Sequence, residues 1–169
     1  MAYFEKFPLY QYDLQNTDDQ TLITDILRRV NLKSNVKVNT LTFDEYNVKD
    51  GEQPDIVAFK YYGDSELHWL IVTINNITSR YDWPLDQVAL SQYVNDKYSN
   101  PNATHHHEIN ATSGDTTKKL IVSSDTDGAT AITNYEYEEI ENDKKRRIRL
   151  LDRAFVTKFV DDFRLLIQR

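Results

Sequence analysis

The 169 residues contain no cysteine, which excludes both a disulfide framework and a thiolate metal site. Glycine is scarce at four residues, too few for a glycine-rich phosphate cradle. No G-x-x-x-x-G-K-[ST], G-x-S-x-G or H-E-x-x-H motif occurs. No apolar run approaches the ~18 residues that a membrane-spanning helix needs. The opening MAYFEKFPLY lacks a basic segment followed by an apolar one and is not expected to be a signal peptide. The sequons at Asn76, Asn102 and Asn110 are therefore expected to be unused. Positive charge is in the minority, with a formal net charge of −7 and a mean hydropathy of −0.64. Such a chain is expected to be soluble and to bind neither nucleic acid nor membrane.

Tyrosine is abundant: eleven, against seven phenylalanines and two tryptophans. These amphipathic rings favour surfaces that are both wet and sticky, as in protein–protein contacts. Tyr3, Phe4, Phe7, Pro8, Tyr10 and Tyr12 follow neither a strand nor a helix period. Residues 1–16 read as an extended aromatic arm, its rings covered by a partner or folded back on the chain.

Residues 17–98 read as a helical core. Thr17 to Gln20 fits a capping box, and Leu22, Ile23, Ile26, Leu27 and Val30 form one apolar stripe with Arg28 and Arg29 as a solvated flank. A second unit spans 46–77, with a strand-like YNV, a D-G turn at Asp50–Gly51, a helix opened by Pro54 and ended by Gly63, and a second helix capped by Asp64 or Ser65. A third helix is expected over 86–98. Residues 99–134 turn to Ser, Thr, Asn, Asp and Gly and read as loops and short strands.

The strongest charge run is KKRRIR at 144–149, directly after YEYEEIEND. With Asn142–Asp143 as a two-residue turn, residues 135–150 are expected to form a β-hairpin. Glu141 then faces Lys144, Glu139 faces Arg146, Glu138 faces Arg147 and Glu136 faces Arg149. Paired in this way, the basic run serves the fold and has little charge left for phosphates. Asp152 is expected to cap a terminal amphipathic helix bearing Phe155, Val156, Phe159, Val160, Phe163 and Leu166–Ile167.

Candidate chemistry is thin. The HHH run at 105–107 is the one candidate metal cluster. In a regular strand His105 and His107 would share a face while His106 and Glu108 shared the other, too few ligands on either side for zinc. No metal or cofactor site is assigned and no catalytic residue nominated; a zinc hydrolase on His105 and His107 is the least favoured reading. The interface candidates are Tyr3, Phe4, Phe7, Tyr10 and Trp83, with Trp69 open between core and interface.

Two resemblances rest on motifs. Tyr46, Val48, Gly51, Glu52, Ile56, Ala58, Tyr62, Gly63, Leu67 and Asn75 match the pattern of a LysM motif. That implies, as the alternative function, binding to peptidoglycan or chitin. The chain departs from the motif where a second strand is due, reading ITSRYDWPL instead. Over nearly its whole length, YFxxFP at 3–8, DIxRRV at 25–30, YGDxxxHW at 62–69, NNI at 75–77, DWPL at 82–85, HHHE at 105–108 and the closing KRRIRLL occur in one order. In that order the chain resembles the baseplate wedge protein 53 family of contractile-tailed phages. The resemblance implies an α+β structural subunit of the virion tail baseplate, made in the host cytoplasm and without enzymatic activity or cofactor. Its implied partners are the other wedge proteins and a sheath-initiator-like protein, in six-fold assembly.

Overall fold

A computed structural model of the chain describes residues 3–13, 16, 20–30, 42–111 and 118–168. The elements in order are β1 (Leu9–Tyr12), β2 (Thr21–Thr24), β3 (Phe43–Asn47), α1 (Pro54–Tyr62), α2 (His68–Ile74), α3 (Gln87–Lys97), β4 (Thr104–Asn110), β5 (Lys119–Val122), β6 (Thr130–Thr133), α4 (Asn134–Lys144), β7 (Arg147–Leu151) and α5 (Arg153–Ile167). The class is α+β, as expected. Two compact units share these elements: one holds residues 1–48, 52–80 and 148–169, the other residues 49–51 and 81–147.

In the first unit β1 and β2 form a two-stranded antiparallel ribbon in which Leu9 pairs with Thr24 and Tyr12 with Thr21. This corrects the helix expected from Leu22 onward; Thr17 to Asp19 lie outside the described residues. The T-L-I-T stretch is rich in β-branched residues, and a partner strand is at hand in Leu9–Tyr12, so tertiary pairing overrides the helical stripe. The chain then turns at Asp25, whose carboxylate accepts from the Leu27 amide (3.2 Å) and from Arg28 Nε (3.0 Å).

Helix α1 ends where expected, at Gly63 in the left-handed region with φ 81° and its N–H on the Phe59 carbonyl. Asp64 caps the short 3-10 turn that leads into α2 through the Glu66 amide at 2.9 Å. The LysM resemblance places a second strand directly after this helix pair, and none stands there. The strand beside β3 is β7, far downstream. In β7, Ile148 and Leu150 are buried and alternate with exposed Arg147 and Arg149. Asn75, just past α2, serves as a surrogate strand for β7: its Nδ2 donates to the Arg149 carbonyl (2.8 Å) and its Oδ1 accepts from the Arg149 amide (2.8 Å). Asp152 caps α5 through the Ala154 amide, as expected. Buried Val160, Phe163 and Ile167 hold the helical spacing, with Val57, Ala58, Leu70, Ile71 and Leu150 among the other fully enclosed residues of this unit.

In the second unit α3 starts at Asp86, whose side chain accepts from the Ala89 amide at 2.8 Å. A three-stranded antiparallel sheet of order β5-β4-β6 follows, giving regular structure to the polar stretch. Residues 135–144 are not a hairpin strand but helix α4. Thr133 supplies the N-cap and Glu136 reaches back to it, completing a capping box. Asn142 is not a turn residue; it is buried, with Oδ1 accepting from the Leu85 amide (2.8 Å) and Nδ2 donating to the Leu85 carbonyl (2.9 Å). Of the expected ion pairs Glu141–Lys144 forms, but one helical turn apart instead of across a ladder, and Arg146 pairs in the same i,i+3 manner with Asp143 instead of Glu139. Arg146 also reaches Asp50 at 3.2 Å. No helix among the described residues is long and apolar enough to cross a membrane.

Candidate protein–protein interface

The aromatic arm is not uniformly free. Residues 4–6 form a 3-10 turn that seats Tyr3, Phe4 and Phe7 as a cluster, with the Tyr3 ring 5.1 Å from Phe4 and 5.0 Å from Phe7. Tyr3 also lies 5.4 Å from Trp69 and 5.6 Å from Phe163, which themselves sit 4.7 Å apart. Phe7 is buried, and so is Trp69, which settles Trp69 among core residues. Lys6 is buried too, its ammonium 5.2 Å from the centre of the Trp69 ring. Loss of water pushes the Lys6 pKa down. The Trp69 indole N–H is buried without a hydrogen-bond partner among the described residues.

The other rings of the arm face outward. Phe4 is exposed, and on the ribbon Leu9, Tyr10 and Leu22 are 66%, 60% and 59% exposed, with Tyr12 and Ile23 also open. Neither strand carries a charge. Ile26 and Leu27 extend this apolar surface beyond β2. Sequence reasoning anticipated the tyrosines here but placed Leu22 and Ile23 on a buried helical stripe. On α5, Phe155, Leu165 and Leu166 are exposed beside the buried stripe.

Trp83 belongs to the second unit and is 5% exposed. The structure thus brings Tyr3, Phe4 and Phe7 together, sets Tyr10 on the adjoining ribbon strand, and encloses Trp83. Among the residues that match the LysM pattern, Glu52 is buried and accepts from Tyr46 Oη (3.0 and 3.2 Å) and Lys60 Nζ (2.6 Å). Burial and this hydrogen bond raise the Tyr46 pKa.

The histidine run lies on β4, where the register shifts between Thr104 and His106. That irregularity sets His105 and His106 side by side, Nδ1 to Nδ1 at 2.8 Å, instead of on opposite faces. His105 stacks flat on Tyr137 of α4 with ring centres 4.0 Å apart, and His106 meets the same ring edge-on at 6.0 Å. His106 does share a face with Glu108, at 3.8 Å. No group of three or more metal-ligating side chains occurs among the described residues.

In the same unit the Glu138 carboxylate of α4 is held from the end of α3. Its Oε1 accepts from Lys97 Nζ at 2.6 Å and Tyr98 Oη at 2.7 Å. Burial pushes the Glu138 pKa up, but the two donors and the nearby positive charges outweigh it, and the carboxyl is held below its ordinary value. The hydrogen bond raises the Lys97 pKa in turn.

The fold is α+β, its described residues bring no metal-binding cluster together, and its most distinctive surface is an uncharged apolar ribbon. The family model for the phage base plate wedge protein 53 matches residues 1–129, and the chain belongs to that family. It is a structural protein of the phage virion, placed in the tail baseplate. No curated protein matches the chain. The matched span takes in the arm, the ribbon, α1 to α3, and the histidine strand, and ends before α4, β7 and α5.

Proposed function

We propose that the chain is a joint of the baseplate wedge: it ties other wedge proteins together and links neighbouring wedges by protein–protein contacts, without catalysing a reaction. On this reading its partners are the larger wedge proteins and a sheath-initiator-like protein, and its copy number follows the six-fold symmetry of the baseplate. The observation that carries the proposal is the β1–β2 ribbon. A two-stranded sheet is marginal in water by itself, yet this one turns Leu9, Tyr10, Tyr12, Leu22 and Ile23 outward. Apolar residues grouped so closely on a surface mark an interaction site.

Interface energy concentrates in a few aromatic anchors. Phe4 and Tyr10 are the exposed anchors of this proposal. Tyr3, in contact with Phe4, Phe7, Trp69 and Phe163, and buried Phe7 support the cluster from within. Trp83, enclosed in its own unit, contributes by holding the loop before α3 in shape.

The test is reconstitution. In a mixture of purified wedge proteins, the wild-type chain is expected to co-elute with the wedge, and its residues 9–12 and 21–24 to gain hydrogen-exchange protection. The double variant Leu22→Lys/Ile23→Lys is expected to keep the wild-type circular dichroism spectrum and to enter the wedge at least tenfold less. Equal incorporation of the variant, or unchanged exchange in the ribbon on assembly, overturns the proposal.

A further inference from the structure

The second unit holds a pocket of about 210 Å³ between α3 and α4. Tyr81 and Tyr93 line it with rings 6.5 Å apart, tilted by 41°. Leu85 and buried Leu90 add apolar surface. Glu138 lines it as well, with a side chain only 9% exposed. Both hydrogen bonds of that carboxylate, from Lys97 and Tyr98, fall on Oε1. Oε2 accepts none among the described residues and keeps contact with solvent.

A carboxylate oxygen in such surroundings calls for a donor. The donor's charge follows from what already stands around Glu138. Lys97 is in direct contact, and the Lys145 side chain, which also lines the pocket and donates to the Tyr81 carbonyl at 2.9 Å, adds a second positive charge facing the same carboxylate. Glu141 at the rim is already paired with Lys144. A third cation beside Glu138 has no uncompensated negative charge to meet, so the donor that fits is neutral. Tyrosine walls with leucine between them favour a flat ring over a flexible polar chain.

We propose that this pocket receives an aromatic side chain with a hydrogen-bond donor at its edge, a tyrosine or tryptophan presented by another baseplate protein, its ring against Tyr81 and Tyr93 and its O–H or N–H on Glu138 Oε2. The source of that side chain rests on the structural role proposed above; the chemistry of the pocket does not.

The experiment is a titration of the purified full chain with N-acetyltyrosinamide, followed by amide NMR shifts at Leu90, Tyr93 and Glu138. N-acetyltryptophanamide, N-acetylphenylalaninamide and N-acetylargininamide serve as comparisons. The tyrosine and tryptophan probes are expected to saturate and to compete for one site. The phenylalanine probe, which lacks the donor to a charged acceptor, is expected to bind about tenfold more weakly or worse. Tyr93→Ala, or Tyr81→Ala if the first variant misfolds, is expected to abolish the shifts. An arginine probe that binds as well as tyrosine, a phenylalanine probe that equals it, or no shift with any probe overturns the proposal. A chain that joins wedges but ignores the probes sinks only the pocket; one that binds them but joins no wedge sinks only the assembly role.

Discussion

Replacing Asn142 with Ala strips both partners from the Leu85 backbone. The Asn142 side chain is buried and makes two hydrogen bonds, of 2.8 and 2.9 Å, to the N–H and C=O of that one residue. It acts as one rung of a strand ladder laid against the loop that opens α3. An unsatisfied buried polar group costs about 1–3 kcal/mol. Leu85 is only half buried, so water recovers part of each loss and the lower half of the range applies, about 2–4 kcal/mol for the pair. Alanine is the better helix former by up to ~0.7 kcal/mol, which leaves a net loss of about 1.5–3 kcal/mol. Two assays read it: urea unfolding by circular dichroism and hydrogen exchange at the Leu85 amide. A local loss of ~2 kcal/mol speeds that exchange about thirtyfold. Asn142→Asp keeps the acceptor but turns a carboxylate oxygen toward the Leu85 carbonyl, and is expected to lose at least as much. If the alanine variant falls by less than about 0.5 kcal/mol and Leu85 exchanges as before, residue 142 is not inside a helix. The discarded hairpin, where Asn142 would be an exposed turn residue, would then return.

Other outcomes follow from the same contacts. Thr133→Ala removes the N-cap hydroxyl of α4 and is expected to cost about 1 kcal/mol, seen as a lower urea midpoint with unchanged m-value. Leu150→Ala in fully enclosed β7 is expected to cost about 2–5 kcal/mol, a loss that thermal unfolding resolves easily. The Lys97–Glu138 bridge sets a pH window. Glu138 titrates below its ordinary 4.5 in the folded chain, so its contribution is present above that value and disappears as pH falls through the depressed pKa. Lys97 titrates above its ordinary 10.5, so its contribution is present below 10.5 and disappears as pH rises through the raised pKa. Stability measured against pH is thus expected to hold between these limits, and Glu138→Gln with Lys97→Met to flatten both ends. A double variant whose pH profile matches the wild type would remove the bridge from the explanation.

The parts of the fold that were legible are those whose signals are local. Pro54 and Gly63 bracket α1 and Asp152 opens α5, because capping depends on a few consecutive residues and little else. Helix α4 was misread through degeneracy. Its acids and bases pair just as well three apart on a helix as across a ladder, so charge pattern alone could not choose. The deciding signal was present as Thr133-x-x-Glu136, a capping box that went unread beside an Asn-Asp pair that looked like a turn. The partner of β3 was beyond any local reading, since β7 joins it from the far end of the chain. The bulge that turns His105 toward His106 is likewise a property of strand register, which one strand's sequence does not specify.

The first helix expected from sequence failed for a different reason, and that failure bears on function. Leu22, Ile23, Ile26 and Leu27 do form an apolar set, and a helix would have been a sound way to bury them in a chain that stood alone. The structure instead sets Leu22 and Ile23 on a ribbon strand and Ile26 and Leu27 just past it, and all four remain exposed. The arm behaves in the same mixed manner: Phe7 is taken into the core while Phe4 and Tyr10 are left in water. An apolar pattern that a chain does not bury itself still costs free energy until something covers it. In the role proposed above, the covering surface is a neighbouring protein. On that role the exposed Leu9, Tyr10, Leu22, Ile23, Ile26 and Leu27 encode a contact between chains rather than the interior of one, and burying those positions by design is expected to stabilise the free subunit while disabling its assembly.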